Sequence, residues 1–505
     1  MDKAVSAFAS KPVSYQALHK LLQQFHRHEA NLSPTGTHHM PFKGVPLEFK
    51  AATRKTLTDH LSSASFADNG ENGLASAIMR TGIGMRLHSS TSTAIQELTH
   101  LITADSIRTL VPDILFEACN ILHAQRDWPK LSLCALKGGQ HVEIDDRSRA
   151  IFCDWFVLSA YKKLMPAFAK NQLLPAQIDE FEASVTKATS CLSERGKNRI
   201  FYRALFANLR KKIELSVSLI LKAQQAEGHL LGFFERLECF KSPAILSGEK
   251  STLLAKLDAN CQHNFIHENA VDPILLISCD KAYFDKYFGK LLESFGHWNL
   301  NGLLHLHCIA FEPERRLLEE LEHRHKVRIN FTVDPQAQLQ FSEDNFMGYC
   351  AGARYIFLPT YLDHYSRIVI TDIDGVIRRS LKDLWAEDQD AILLTSKLLD
   401  PEWHSARLLW ETIAAGTFGI TNAPKNRLFA TLVSTFLCDA LTSSLQDGSP
   451  FFYTDQIGLL LAYLRCKDTH NFERLQGLYI QGGSWQFSDK NSKRDAQQNI
   501  NFRKS

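Results

Sequence analysis

Asp372 and Asp374 stand two apart behind an apolar run in RIVITDIDGVIRRSLKDLW, residues 367–385. In extended backbone, residues separated by one neighbour project to the same side, so both carboxylates face out together while Ile373 turns back toward the core. Two hard oxygen ligands suit Mn²⁺ or Mg²⁺, cations that keep several waters and fill their remaining positions with substrate phosphates. The run Arg367 to Thr371 in front of them predicts a short strand buried on both faces of a sheet. Behind them Gly375 permits a sharp turn, and Ser380 is placed to cap a short helix, LKDLW, with Asp383 in its first turn.

Holding such a pair at a cleft requires a sheet, and residues 270–505 carry the pattern of one. Ile274 to Ser278 reads as a strand after Pro273, followed by Cys279, Asp280 and a helix whose Tyr283, Phe284, Tyr287, Phe288, Leu291, Leu292 and Phe295 share one face. Past a turn at Asn299 to Gly302 come a strand over Leu303 to Ala310, a helix over Glu312 to His325 and a strand over Val327 to Val333. A further helix over Asn345 to Phe357 stops near Pro359. This alternation implies parallel strands joined by helical crossovers. Ligands of such sheets bind at the carboxyl ends of the strands, where Asp280, Asp372 and Asp374 all fall. His305 and His307 face the same way on the second strand, but no third ligand of suitable type accompanies them, and interior histidines with hydrogen-bond partners are the expectation. His323 and His325 close a helix, where cationic side chains favour the dipole.

Residues 1–269 read as a mainly helical domain. Leu18, Leu21, Leu22 and Phe25 recur at spacings of three and four; Leu32 to Val45 is a polar loop in which His38 and His39 are expected to be solvated. Helices are predicted over Phe49 to Leu61, Thr93 to Ile102, Ile107 to His123, Ser148 to Phe168, Ala176 to Leu192 and Asn198 to Ala226. The last carries Phe201, Leu205, Leu209, Ile213, Val217 and Leu221 as a core stripe, with Lys211 and Lys212 off it. Lys137-Gly138-Gly139 lacks the GxxxxGK[ST] pattern of a phosphate loop and reads as a turn. The helical succession loosely resembles a helix-pair array, without the tetratricopeptide signature. A partner- or acceptor-binding role is the expectation for this half.

Composition narrows the function classes. The 505 residues suffice for roughly two to four domains. Lys and Arg exceed Asp and Glu by a net charge of only +2, which argues against a general nucleic-acid binder. The N-terminal residues hold no signal-like apolar run, and no stretch was expected to reach the about 20 apolar residues of a spanning helix. Eleven cysteines scattered without a CxxC pair suggest reduced, mostly buried thiols. The expected location is cytoplasmic, with peripheral membrane attachment as an open alternative.

In order, strand, CDKAYF, helix, HLHC strand, helix, AGARYIFLPTYL, RIVITDID and RRSLKDLW resemble the GT-A glycosyltransferases of family 8 and related bacterial transferases. That resemblance implies an α/β fold with a C-terminal, Rossmann-like GT-A domain for a nucleotide sugar, preceded by an all-α N-terminal domain. It implies a metal-dependent hexosyltransferase: Mn²⁺ or Mg²⁺ on Asp372 and Asp374, a donor, most simply a UDP-sugar, among Ser278, Asp280, Tyr283, Arg354 and Asp372, and transfer with retention. The acceptor would be a protein, a glycan or a lipid-linked glycan. Ala414 to Thr421, AAGTFGIT, is similar to the glycine-bearing strand on the acceptor side. FYTDQIGLLL is similar to the family's "DQ" helix start, with Thr454 as cap, Asp455 contacting the donor sugar and Gln456 near the reacting carbon. Many members draw a third metal ligand from a late HxxGxxKPW segment. This chain ends in GGSWQFSDKNSKRD instead, where Gly482, Gly483, Trp485, Lys490 and Lys493 would form a comparable lid with Lys490 on the diphosphate, and His470 is a poor substitute ligand.

VITDIDGV also resembles the first motif of haloacid-dehalogenase-type phosphatases, in which Asp372 would be the nucleophile and Asp374 the acid. Such a phosphatase places that strand at the start of its domain and needs a later lysine and GDxxxD; Ile392 to Thr395 imitates only its second motif. A non-catalytic helical scaffold is the third reading.

Overall fold

The apolar runs over 274–279, 303–309 and 367–371 become strands because nearly every residue in them is buried, the condition of a parallel sheet covered on both faces. The structure, a computed structural model, describes residues 18–24, 73–86, 92–141, 143–169, 175–228, 230, 239–267, 273–335, 339, 343–385, 389–396, 398–399, 409–447, 451 and 453–475. The chain divides into two units, one of residues 1–238 with 404–406 and the other of residues 239–403 and 407–505.

In the first unit the described elements are helices: α1 (Gly73–Arg86), α2 (Ser92–Leu101), α3 (Pro112–Ala124), α4 (Trp128–Gly139), α5 (Asp146–Ala169), α6 (Pro175–Ala188), α7 (Lys197–Leu209) and α8 (Ile213–Gln224). Three expectations need correction. The helix anticipated from Ile107 starts only at α3, because Pro112 fits a first turn and the residues before it form turns. The single helix anticipated over 198–226 is broken, since Lys211 takes a left-handed φ of 61° and the Lys212 amide reaches back to the Ala207 carbonyl. Its stripe survives the break, with Phe201, Leu205, Leu209, Ile213 and Val217 buried. Gly138 and Gly139 are the last turn of α4 rather than a turn of their own. A Cβ on Gly138 would stand 2.3 Å from the Phe152 ring, so the glycine lets α5 pack close. The helix anticipated over 49–61 and His38 and His39 lie outside the described residues.

The second unit is built on eight strands: β1 (Gln262–Asn264), β2 (Ile274–Cys279), β3 (Leu303–Ile309), β4 (Arg328–Asp334), β5 (Arg367–Thr371), β6 (Ile392–Ser396), β7 (Ile413–Thr421) and β8 (Phe472–Arg474), in spatial order β1-β4-β3-β2-β5-β7-β6-β8. β2 to β5 run parallel; β7 enters antiparallel between β5 and β6, with Thr371 opposite Thr417. The helices are α9 (Thr252–Asn260), α10 (Lys281–Trp298), α11 (Arg315–His325), α12 (Glu343–Ile356), α13 (Leu358–Leu362), α14 (Pro424–Asp447) and α15 (Thr454–Cys466).

Alternation along the strands assigns the layers. Leu275, Ile277 and Cys279 of β2 join Leu304, Leu306 and Cys308 of β3 in a core with Phe284, Phe288, Leu291, Leu292 and Phe295 of α10. Ile373, Ile377, Leu381 and Trp385 complete that core, so the residue between the two acids does point inward. The opposite face carries His305 and His307. Both rings are fully paired: His305 with the Tyr365 hydroxyl and Thr332 Oγ1 at 2.7 and 2.9 Å, His307 with the Tyr361 hydroxyl and Asp334 at 2.6 and 3.3 Å. Burial, with His307 beside it, holds His305 well below its ordinary pKa, and it is neutral there. They are interior histidines with partners, as anticipated. α12 stops at Ile356, short of Pro359 as anticipated, and Pro359 sits in the first turn of the separate α13.

One expectation about membranes needs revision: Pro424–Gln446 within α14 is long and apolar enough to cross a bilayer by length and composition. Its apolarity has a local cause, since most of its apolar window is buried and α14 packs against α12, α13 and α15.

Candidate functional site

β5 ends at Thr371, and the chain past it forms the site. The Asp372 amide donates to the Gly416 carbonyl at 3.2 Å and the Gly375 amide closes back on the Asp372 carbonyl at 3.1 Å, which fixes the turn carrying both acids. Asp372 and Asp374 are half-buried while Ile373 between them is core. Ser380 accepts from the Lys382 amide at 3.2 Å and caps the short 3₁₀ turn Leu381–Leu384, as the sequence anticipates.

Arg354, from the last turn of α12, is the charged centre of this cluster. Its side chain is 2% exposed and its guanidinium donates to the Thr371 carbonyl at 2.6 Å, to Asp372 Oδ1 at 2.6 Å and to the Ala415 carbonyl at 3.3 Å. Burial by itself would lower its pKa, but the Asp372 carboxylate outweighs it and the guanidinium is held above its ordinary value. Its Nε–H is buried with no acceptor among the described residues. Asp372, with 36% of its side chain exposed, keeps a face toward solvent. The neighbouring Tyr355 hydroxyl donates to the same Ala415 carbonyl at 2.6 Å, locking α12 to β7.

Asp455 comes to this cluster from the first turn of α15. It is 9% exposed, accepts from the Gln456 amide at 2.8 Å and lies close enough to Arg354 and Asp372 to feel both charges. Burial pushes its carboxyl up to about 6; Arg354 pulls it back, and Asp372 adds a like charge. Thr454 is not the cap that was anticipated. Tyr453 occupies that position with a left-handed φ of 68°, and the Thr454 hydroxyl donates backward to the Phe451 carbonyl at 2.6 Å because it already lies inside the helix. Gln456 is half-buried beside Asp455.

The remaining anticipated residues sit at the ends of β2 and α10. Asp280 caps α10, accepting from the Tyr283 amide at 2.8 Å, and stands at the carboxyl end of β2. Ser278 is buried, and its hydroxyl donates to the Cys350 carbonyl at 2.6 Å, tying β2 to α12. Tyr283 is 48% exposed, its ring 5.3 Å from that of Tyr287. His470 lies in the turn after α15, its two ring nitrogens engaged with Thr469 Oγ1 and the Lys425 carbonyl. Gly482, Gly483, Trp485, Lys490 and Lys493 lie outside the described residues. Sequence reasoning missed two contributors, the Ala415 and Gly416 carbonyls of β7. Backbone carbonyls leave no signal in residue type.

Two carboxylates of this kind fit a divalent cation. They are hard oxygen donors on one turn and Asp372 keeps solvent access, although among the described residues no three His, Cys, Asp or Glu side chains converge. A cation there would depend on substrate oxygens and water for the rest of its shell.

No protein-family model matches the chain, and no curated protein matches it. Among solved structures, the apo form of mouse xyloside xylosyltransferase 1 overlays on 45% of this chain and 92% of its own at 12% identity, with a TM-score of 0.28. The apo structure of the bifunctional glycosyltransferase WbbM overlays on 64% of this chain and 60% of its own at 14% identity, with a TM-score of 0.27. Similarities this low carry no functional weight, and the meaning of the site rests on its own geometry.

Proposed function

We propose that the second unit is a glycosyltransferase that takes a sugar from a nucleoside diphosphate, with a UDP-sugar as the simplest donor, and passes it with retention to a protein, glycan or lipid-linked acceptor. The observation that carries this reading is the meeting of Asp372, Arg354 and Asp455, from three separate elements, beyond the carboxyl end of a central parallel strand. Asp372 and Asp374 would hold Mn²⁺ or Mg²⁺, which supplies neutralisation of the leaving diphosphate. Arg354 holds Asp372 in place and has one buried N–H left for a donor oxygen. Asp455 brings a carboxylate to the side where positive charge develops on the anomeric carbon, with Gln456 next to it. Ser278, Asp280 and Tyr283 border the nucleotide side at the end of β2, and Lys490 is assigned to the diphosphate.

The phosphatase alternative is disfavoured by the position of β5. Four strands of the same sheet precede it in the chain and an antiparallel strand flanks it, whereas a phosphatase opens its domain with that strand.

Thermal stabilisation by individual nucleotide sugars, with and without Mn²⁺, tests the proposal. One nucleotide sugar should raise the melting temperature only with metal and then turn over. Release of phosphate from a generic monoester without any nucleotide-sugar shift would replace this reading with the hydrolase; no response to either, with retention of a protein partner, would replace it with the scaffold.

A further inference from the structure

Ten of the eleven cysteines are buried or half-buried, and the exception, Cys191, is not alone. It lies in the turn after α6, and its sulfur is 4.0 Å from that of Cys153, a buried residue in the middle of α5. Disulfide formation needs about 2.05 Å between sulfurs, a closure of about 2 Å that side-chain rotation and a small adjustment of the turn can provide. The turn is suited to that adjustment, since the Ser190 and Leu192 amides make turn hydrogen bonds of 3.4 and 3.0 Å rather than a helical ladder.

We propose that Cys153 and Cys191 form a redox-active dithiol that a hydroperoxide converts to a disulfide, fastening α5 to the end of α6. The two thiols have different roles by position. Cys191, open to solvent, meets the oxidant: its thiolate attacks one peroxide oxygen, the O–O bond breaks, and Cys191 sulfenic acid and hydroxide (or alkoxide) form. Cys153 then attacks the Cys191 sulfur, the S–OH bond breaks, and the Cys153 proton leaves with the hydroxyl group as water. Two thiols are oxidised by two electrons in total and one peroxide is reduced. Burial, with Cys191 and Asp154 adding to it, raises the Cys153 pKa, so Cys153 is kept as a protonated resolving thiol until its partner is activated. The proposal concerns the first unit alone and does not depend on the sugar chemistry of the second.

The experiment treats the full chain with a small excess of hydrogen peroxide, blocks free thiols under denaturing conditions and maps tryptic peptides without reductant. The expected product is Ala150–Lys162 joined to Ala188–Arg195, 2 Da lighter than the sum of the reduced peptides. Its appearance should raise the melting temperature and be reversed by dithiothreitol. Cys191→Ser, at an exposed position, should keep the wild-type fold and give neither the peptide nor the shift. Recovery of both cysteines as free thiols would overturn the proposal, as would Cys191 ending as a sulfinic acid or in an intermolecular disulfide.

Discussion

Arg354 makes Asp372 a structural residue as well as a candidate ligand. A buried guanidinium that loses the carboxylate it is hydrogen-bonded to typically costs about 3 kcal/mol, and Asp372→Asn should lower stability by that order. Inactivity of that variant would therefore mix unfolding with loss of chemistry, and chemical denaturation beside the activity assay separates them. Asp374→Asn is the better probe of the metal: it should cut kcat/KM by about 100-fold or more, abolish the Mn²⁺-dependent thermal shift and leave a folded protein by circular dichroism. Asp455 supports a pH prediction. Its folded-state pKa of about 6 lies above the unfolded value of ~3.9. The folded protein thus retains a proton that the unfolded chain releases, a stabilisation fully present below about pH 4 and lost as pH rises through about 6. For about two pKa steps the loss is ~3 kcal/mol. In chelated protein, denaturation midpoints of the wild type should fall relative to Asp455→Asn across that window, and parallel curves would count against the buried carboxyl. If the ionised form is the one that works on the sugar, the rate should climb over the same range.

At the scale of elements, the start of α15 is the part that has to be exact for Asp455 to face Arg354, and Gly348 of α12 sets it. A Cβ there would lie 3.1 Å from the Phe451 carbonyl carbon and 3.2 Å from the Phe451 ring. Phe451 is anchored to Asn345 and accepts from Thr454, so displacement of Phe451 carries the first turn of α15 with it. Gly348→Val should destabilise by about 1–3 kcal/mol through overpacking and lower kcat more than it raises KM; steady-state kinetics at saturating donor check this. Such close approaches are poorly legible in a sequence, whereas β2, β3 and β5 were read nearly to the residue because runs such as ILLIS and RIVIT have only one home in a covered sheet. The entry of β7 between β5 and β6 was not readable, since pairing is a non-local choice and AAGTFGIT carries no mark of its neighbour. Nor was the break at Lys211, where a lysine adopts a conformation usually left to glycine. The acids of the site were legible from type and spacing, but the carbonyls of Thr371 and Ala415 that hold Arg354, and that of Gly416 that holds the Asp372 amide, became visible only with the fold.

At the scale of the molecule, residues 239–267 decide what the α/β unit needs in order to stand. α9 buries Leu254 and Leu257, and Phe240 ahead of it is also buried. β1 covers the outer edge of β4 with Gln262 opposite Val333, closing an edge that would otherwise offer unpaired backbone. The polar interior depends on the same segment: the His267 amide donates to Asn330, its ring meets Glu322 at 2.7 Å, and His263 meets Thr332 at 3.0 Å. Three buried side chains at about 1.5–3 kcal/mol each rival the whole stability of an ordinary domain, before the hydrogen bonds that Asn330 and Thr332 would lose are counted. A fragment starting at Cys239 should then be soluble, melt cooperatively and bind the same nucleotide sugar as the full chain. One starting at residue 270, where the alternation of strands and helices begins in the sequence pattern, should aggregate or bind nothing. Size-exclusion chromatography and thermal melts of the two fragments check the pair; a well-folded 270–505 fragment would show that α9 and β1 are dispensable trim on the sheet.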